Sequence, residues 1–141
     1  MHSVSGIITT YGRKANLVER AIVSMEVQTY PMFEIILVDD NQNDSPLCME
    51  LEDMCSLHPM VKYVKQDGNM GACAARNLGI ENSSGEFIGF LDDDDEWLPE
   101  KIESQIKVFD SCDASIGLVS VSGFINDERT GNKSFRDLMT L

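Results

Sequence analysis

Hydrophobic positions along this chain follow two rhythms that alternate from start to end. Val4 to Thr9 is a short β-branched block and predicts a first strand, followed by the loop Thr10-Tyr11-Gly12-Arg13. From Ala15 to Gln28, Leu17, Val18, Ala21, Ile22 and Met25 recur at the spacing of a helix with one buried face, and Tyr30-Pro31 ends it. Glu34 to Val38 is apolar almost throughout, as expected of a parallel strand covered on both sides, and runs into Asp39-Asp40-Asn41. Pro46 opens a second helix carrying Leu47, Leu51, Met54 and Cys55, which His58-Pro59 stops. Val61 to Val64 is a third strand, Gln66 to Met70 a polar loop, and Gly71 to Ile80 an alanine-rich helix closing at Asn82-Ser83-Ser84-Gly85. Glu86 to Leu91 is a fourth strand, and Pro99 to Phe109 a helix with Ile102, Ile106 and Phe109 inward. Ile116 to Ile125 reads as a fifth strand, with turns at Asn126-Asp127-Glu128 and Gly131-Asn132.

Strands alternating with helices predict an α/β fold, Rossmann-like, with a mainly parallel twisted sheet, right-handed crossovers and helices on both faces. A length of 141 residues suits one domain over 1–141. In such sheets ligands bind outside the carboxyl ends of the strands. The loops after Thr9, Val38 and Leu91 all lie there, so their polar residues converge on one crevice.

Charge narrows the function. A formal net charge of −13 argues against nucleic acid and against anionic membrane surfaces as partners. A small anionic ligand remains open if a metal bridges it to the acids. Cys48, Cys55, Cys73 and Cys112 form no C-x-x-C pair, which removes zinc and thioredoxin-like readings and suits reduced thiols in a cytosolic protein. The first residues lack a signal-peptide core, and no stretch approaches the roughly 20 apolar residues of a membrane span. A cytoplasmic location, within reach of the inner membrane face, is the expectation.

The densest chemistry is Asp92-Asp93-Asp94-Asp95, set directly behind the run Phe87 to Leu91, which reads as a buried strand. Adjacent carboxylates repel and need a counter-charge. One acid could cap the following helix, but four exceed that need. Acids also fall at EF-hand positions counted from Asp92, yet Trp97 stands where that loop requires glycine, and a strand rather than a helix precedes it. A hard divalent cation shared with a phosphorylated ligand is the stronger reading. Asp39-Asp40 forms a second acidic strand end, able to accept hydrogen bonds from a base or a ribose. The small-residue helix start Gly71-Ala72-Cys73-Ala74-Ala75-Arg76 brings a cation towards the crevice. Tyr11 can stack on a base, whereas Trp97 reads as a packing anchor. His2 and His58 belong to no constellation, and no nucleophilic triad is visible.

Four segments, VSGIITTYGR, QTYPMFEIILVDD, GACAARNLG and GEFIGFLDDDDEWLP, resemble in order the opening of family 2 glycosyltransferases with the GT-A fold. The resemblance implies a metal-dependent, inverting transfer of a sugar from a nucleotide diphosphate, UDP-sugar first among the choices, to an acceptor hydroxyl. It implies that Thr10, Tyr11, Asp39 and Asp40 line the nucleoside pocket, that Arg76 lies near the sugar nucleotide, and that Asp92-Asp93-Asp94 is the D-x-D motif. Asp92 and Asp94 would meet Mn²⁺ or Mg²⁺, with Asp92 and Asp93 also at the nucleotide sugar. The acceptor, a saccharide, a lipid-linked glycan or a protein, stays open, with cell-envelope polysaccharide the implied setting. Thr9 replaces the family's usual proline and Gly12 its usual asparagine. The resemblance covers the nucleotide-binding half, so the acceptor-binding part and the general base are expected beyond Leu141. Two rivals stand beside it: an inactive nucleotide-binding module, and a receiver-like signalling domain. The receiver needs an acidic pair after the first strand and a late lysine, and the chain shows neither where they are required.

Overall fold

A computed structural model describes residues 1–113, 115–127 and 130–136. The chain divides into two compact units, residues 1–100 and 101–141. In the first unit, β1 (Val4–Thr10), α1 (Ala15–Glu26), β2 (Glu34–Asp39), α2 (Pro46–Cys55), β3 (Val61–Lys65), α3 (Ala72–Glu81) and β4 (Phe87–Asp92) follow one another, each within two residues of its predicted bounds. The four strands form one parallel sheet in the order β3-β2-β1-β4.

That order separates the readings. A receiver-like, flavodoxin-type sheet runs 2-1-3-4-5, whereas 3-2-1-4 is the opening of the other doubly wound order, with its switch point between β1 and β4. The receiver alternative therefore fails on topology.

Neighbouring residues of β1 show helices on both faces. A Cβ on Gly6 would lie 2.5 Å from Met25 Sδ of α1, and one on Gly79 of α3 would lie 2.5 Å from Ile7 Cγ2. Gly6 and Ile7 point to opposite sides of the strand. On the α3 side, Ile7, Ile36, Val38 and Ala75 make a buried cluster joined by Val64 and Leu78. Val18, Ala21, Ile22 and Met25 of α1 and Ile8, Ile35 and Leu37 of the strands are also fully buried. Burying each large aliphatic side chain contributes roughly 1.5–3 kcal/mol. The α2 start is fixed locally: Pro46 holds the first turn and the Ser45 hydroxyl accepts from the Leu47 amide. Trp97 is buried, its amide donates to the Ser24 hydroxyl at 3.0 Å, and its ring lies where a side chain on Gly89 of β4 would have to go. The anchor role expected of it is what the packing shows.

The second unit contains α4 (Lys101–Ser111) and the antiparallel pair β5 (Gly123–Asp127) and β6 (Asn132–Arg136). Here two expectations change. Residues 116–122 are not a strand, and the strand that forms begins only at Gly123. Among the described residues only Gly123–Asp127 pairs with β6, whereas Ile116, Leu118 and Val121 lie outside that ladder and are exposed. Asn126 and Asp127 continue β5 instead of turning, Gly131 makes the turn at φ +69°, and Asn132 begins β6. Glu128, the remaining residue of that expected turn, lies outside the described residues. Among the described residues no helix is long and apolar enough to cross a membrane.

Candidate functional site

Strand register sets the site. Thr9 pairs with Asp92 across β1 and β4, and Thr10 pairs with Asp39 across β1 and β2. The carboxyl ends of three strands therefore finish level, and a hollow of about 330 Å³ opens between them. Its walls are Thr9 to Arg13, Asp40, the α3 residues Ala72, Ala75 and Arg76, and Asp92 to Asp94. Of the residues singled out from sequence, Thr10, Tyr11, Asp40, Arg76, Asp92, Asp93 and Asp94 meet here.

Asp39 does not line the hollow. It shares the α2 side of β2 with Ile35 and Leu37, because alternate strand residues face alternate sides, and it is fully buried. The Tyr63 hydroxyl donates to its Oδ2 at 2.6 Å, while the Asn41 amide and side chain donate to Oδ1 at 2.8 and 2.6 Å. Burial alone would raise the Asp39 pKa, but the hydrogen bonds from Tyr63 and Asn41 outweigh it and hold the carboxyl below its ordinary value. For Tyr63, burial and then the bond to Asp39 push the phenol well above its ordinary range. Asn41 passes the restraint on, since its Oδ1 accepts from the Gly12 amide at 2.8 Å. Tyr63, Asp39 and Asn41 thus brace the first loop from behind. Gly12 sits at φ +69°, in the left-handed region that glycine adopts without strain.

Asp40 faces the hollow, and the loop leading into α3 folds onto it. The amides of Met70 and Gly71 donate to its two oxygens at 2.8 and 2.9 Å. Gly71, at φ +89°, allows the chain to turn both amides inward before α3 begins.

The second acidic turn is held by cations. Arg76 donates to Asp92 Oδ1 at 2.8 Å. Arg13 donates to Asp93 Oδ1 at 3.3 Å and also pairs with Asp94. Arg20 donates through Nε to Glu96 at 2.9 Å. Three of the chain's five arginines are committed to one loop. Asp93 is the fixed member: it is buried, and the Thr10 hydroxyl donates to its Oδ2 at 2.7 Å. Among the described residues no arginine pairs with Asp95, and partial burial together with Asp94, Asp92 and Asp93 raises its pKa. The sequence reading missed Arg13, Asn41 and Tyr63. The signal for Arg13 was its place beside Tyr11 and Gly12 in a chain poor in cations; Asn41 and Tyr63 act through contacts that no spacing reveals.

Hard carboxylate oxygens suit Mg²⁺ or Mn²⁺. Among the described residues no three His, Cys, Asp or Glu side chains converge as a ready cage. The donor set fits a cation held by one or two carboxylates and completed by the oxygens of a phosphorylated ligand.

Residues 5–139 match the family model described as glycosyl transferase family 2. A protein of Rickettsia felis named an uncharacterized glycosyltransferase is 42% identical over 104 residues, 74% of this chain and 17% of that protein. The Campylobacter jejuni enzyme named GalNAc(5)-diNAcBac-PP-undecaprenol beta-1,3-glucosyltransferase is 33% identical over 135 residues, 95% of this chain and 41% of that enzyme. The crystal structure of S. aureus TarS 1-349 in complex with UDP shares the fold with a TM-score of 0.62 at 25% identity, over 77% of this chain and 32% of that one. The chain spans less than half the length of each of these relatives.

Proposed function

The chain belongs to glycosyl transferase family 2, and from that premise we propose that its hollow holds the nucleoside diphosphate of an activated sugar, with Mn²⁺ or Mg²⁺ at Asp92 and Asp94, for inverting transfer to an acceptor hydroxyl. One observation carries this reading: Thr10, Tyr11, Asp40, Arg76, Asp92 and Asp94 border a single hollow at the sheet's switch point. The cation, when bound, would neutralise the charge that develops on the departing diphosphate.

The chain's own residues would divide the remaining work. Tyr11, 56% exposed at the lip, offers its ring to the base. Asp40 already accepts two backbone bonds, and each carboxylate oxygen keeps a further lone pair for a ribose hydroxyl or a base N–H. Asp39 positions the loop that carries Tyr11 rather than touching the nucleotide. Arg76, within reach of Asp92, would take part of the diphosphate charge. The carboxylates of the hollow are assigned to cation and nucleotide, so the group that takes the acceptor's proton is proposed to lie elsewhere in the protein. The C. jejuni relative's name points to an undecaprenol-diphosphate glycan as acceptor and glucose as sugar, and a lipid-linked or saccharide acceptor is proposed for the whole protein on that basis.

Thermal melts with UDP, GDP and TDP, each with and without Mn²⁺, test the donor site. UDP with Mn²⁺ is expected to stabilise the chain by about 2.7 kcal/mol at a hundredfold excess over Kd. Equal stabilisation without metal would make the hollow a metal-independent nucleotide module, and none with any nucleotide would refute the proposal.

A further inference from the structure

The acidic run carries its own counter-ion. We propose that Arg13 is a placeholder cation for the divalent ion: it holds Asp93 and Asp94 until nucleotide arrives, and thereby makes metal binding conditional on nucleotide. The inference rests on the donor-site reading above.

The two carboxylates that Arg13 bridges are held very differently. Asp93 is 11% exposed in its side chain, and its second oxygen is taken by the Thr10 hydroxyl, so it stays where it is. Asp94 is 52% exposed in its side chain, and Arg13 is its one ion-pair partner among the described residues. Arg13 is itself 42% exposed and sits on the loop between β1 and α1, with the left-handed Gly12 just before it. The Arg13–Asp94 pair, exposed on both sides, is weakly held in water, so it can be exchanged. The pairing also explains why the run offers no ready metal cage: Asp94 is turned to a guanidinium rather than towards Asp92, which is occupied by Arg76. A lone divalent ion must displace Arg13. A nucleoside diphosphate supplies both an alternative anion for the guanidinium and oxygens for the metal, so it removes the competitor and completes the coordination together. By linkage, nucleotide then tightens metal binding and metal tightens nucleotide binding by the same factor.

The experiment is Mn²⁺ titration of the chain, followed by electron paramagnetic resonance, with and without UDP at fixed ionic strength, for the wild type, Arg13→Gln and Arg13→Lys. Arg13→Gln is expected to bind Mn²⁺ several-fold more tightly than wild type without UDP, and to lose about tenfold of the gain that UDP confers. Arg13→Lys, which keeps the charge without the planar fork, should fall between. Unchanged or weaker nucleotide-free binding in Arg13→Gln overturns the proposal, as does absence of Mn²⁺ binding in all three proteins. Tighter Mn²⁺ binding in Arg13→Gln with no effect of UDP on any variant would sink the donor-site reading while leaving the counter-ion role standing. Circular dichroism melts confirm that the variants are folded.

Discussion

The two acidic strand ends are alike in sequence and opposite in physics. Asp39 is sealed inside the sheet's edge and satisfied by neutral donors, a phenol and an amide. Asp92 and Asp94 stand in solvent and are satisfied by arginines. A carboxylate in a dry, fixed network cannot change partners without leaving buried groups unpaired, which costs about 1–3 kcal/mol for each. A carboxylate in an exposed ion pair changes partners cheaply. The first turn is therefore suited to hold shape and the second to receive a ligand.

The largest expected effect tests the first half of that contrast. Asp39→Ala should destabilise the chain by about 3 kcal/mol, a fall of roughly 10 °C in Tm, by stranding Tyr63 and Asn41. An unchanged Tm would erase the distinction between the turns. Next, Asp94→Asn should leave Tm nearly unchanged while weakening Mn²⁺-dependent UDP binding by about 100-fold, as seen by calorimetry. A large loss of Tm with intact binding would invert the assignment.

Tyr63→Phe sharpens the comparison, with an expected loss of about 2 kcal/mol in urea melts and a change in pH dependence. The Asp39 carboxyl is held below its ordinary value of 3.8, so its contribution is present above that pH and disappears as acid reaches its lowered folded value. The Tyr63 phenol is raised above its ordinary 10.0, so its contribution is present below that pH and fades in strong alkali. Tyr63→Phe should flatten the alkaline limb of the stability profile and Asp39→Asn the acid limb. Smallest of all, Arg20→Gln, which removes an exposed pair with Glu96, should change stability by no more than about 0.5 kcal/mol. A larger loss would show that the second turn, too, is structural.

Much of this was legible in the chain. β1 and β2 announce themselves because each is an apolar block that is buried almost throughout, whereas β3 and β4, at the two sides of the sheet, are only part-buried and were legible from their β-branched and aromatic residues between turn signals. Residues 116–125 show the limit: β-branched content suggested a strand throughout, and the strand forms only from Gly123, where β6 pairs with it. Within the site, the meeting of Thr10, Arg76 and the acidic run follows from strand ends sharing one edge. Two things did not follow. Which member of Asp39-Asp40 faces the hollow depends on the phase of β2 relative to its helices, and consecutive residues give opposite answers. Arg13 lies 80 residues from Asp93, and only the adjacency of β1 and β4 brings them together.

The chain's single tryptophan sits five positions beyond the first aspartate of the acidic run, wedged over Gly89 and tied to α1. Its indole is thus an intrinsic fluorophore placed at the root of the acidic turn, and its emission offers a label-free optical test of the proposed exchange of Arg13 for a divalent cation.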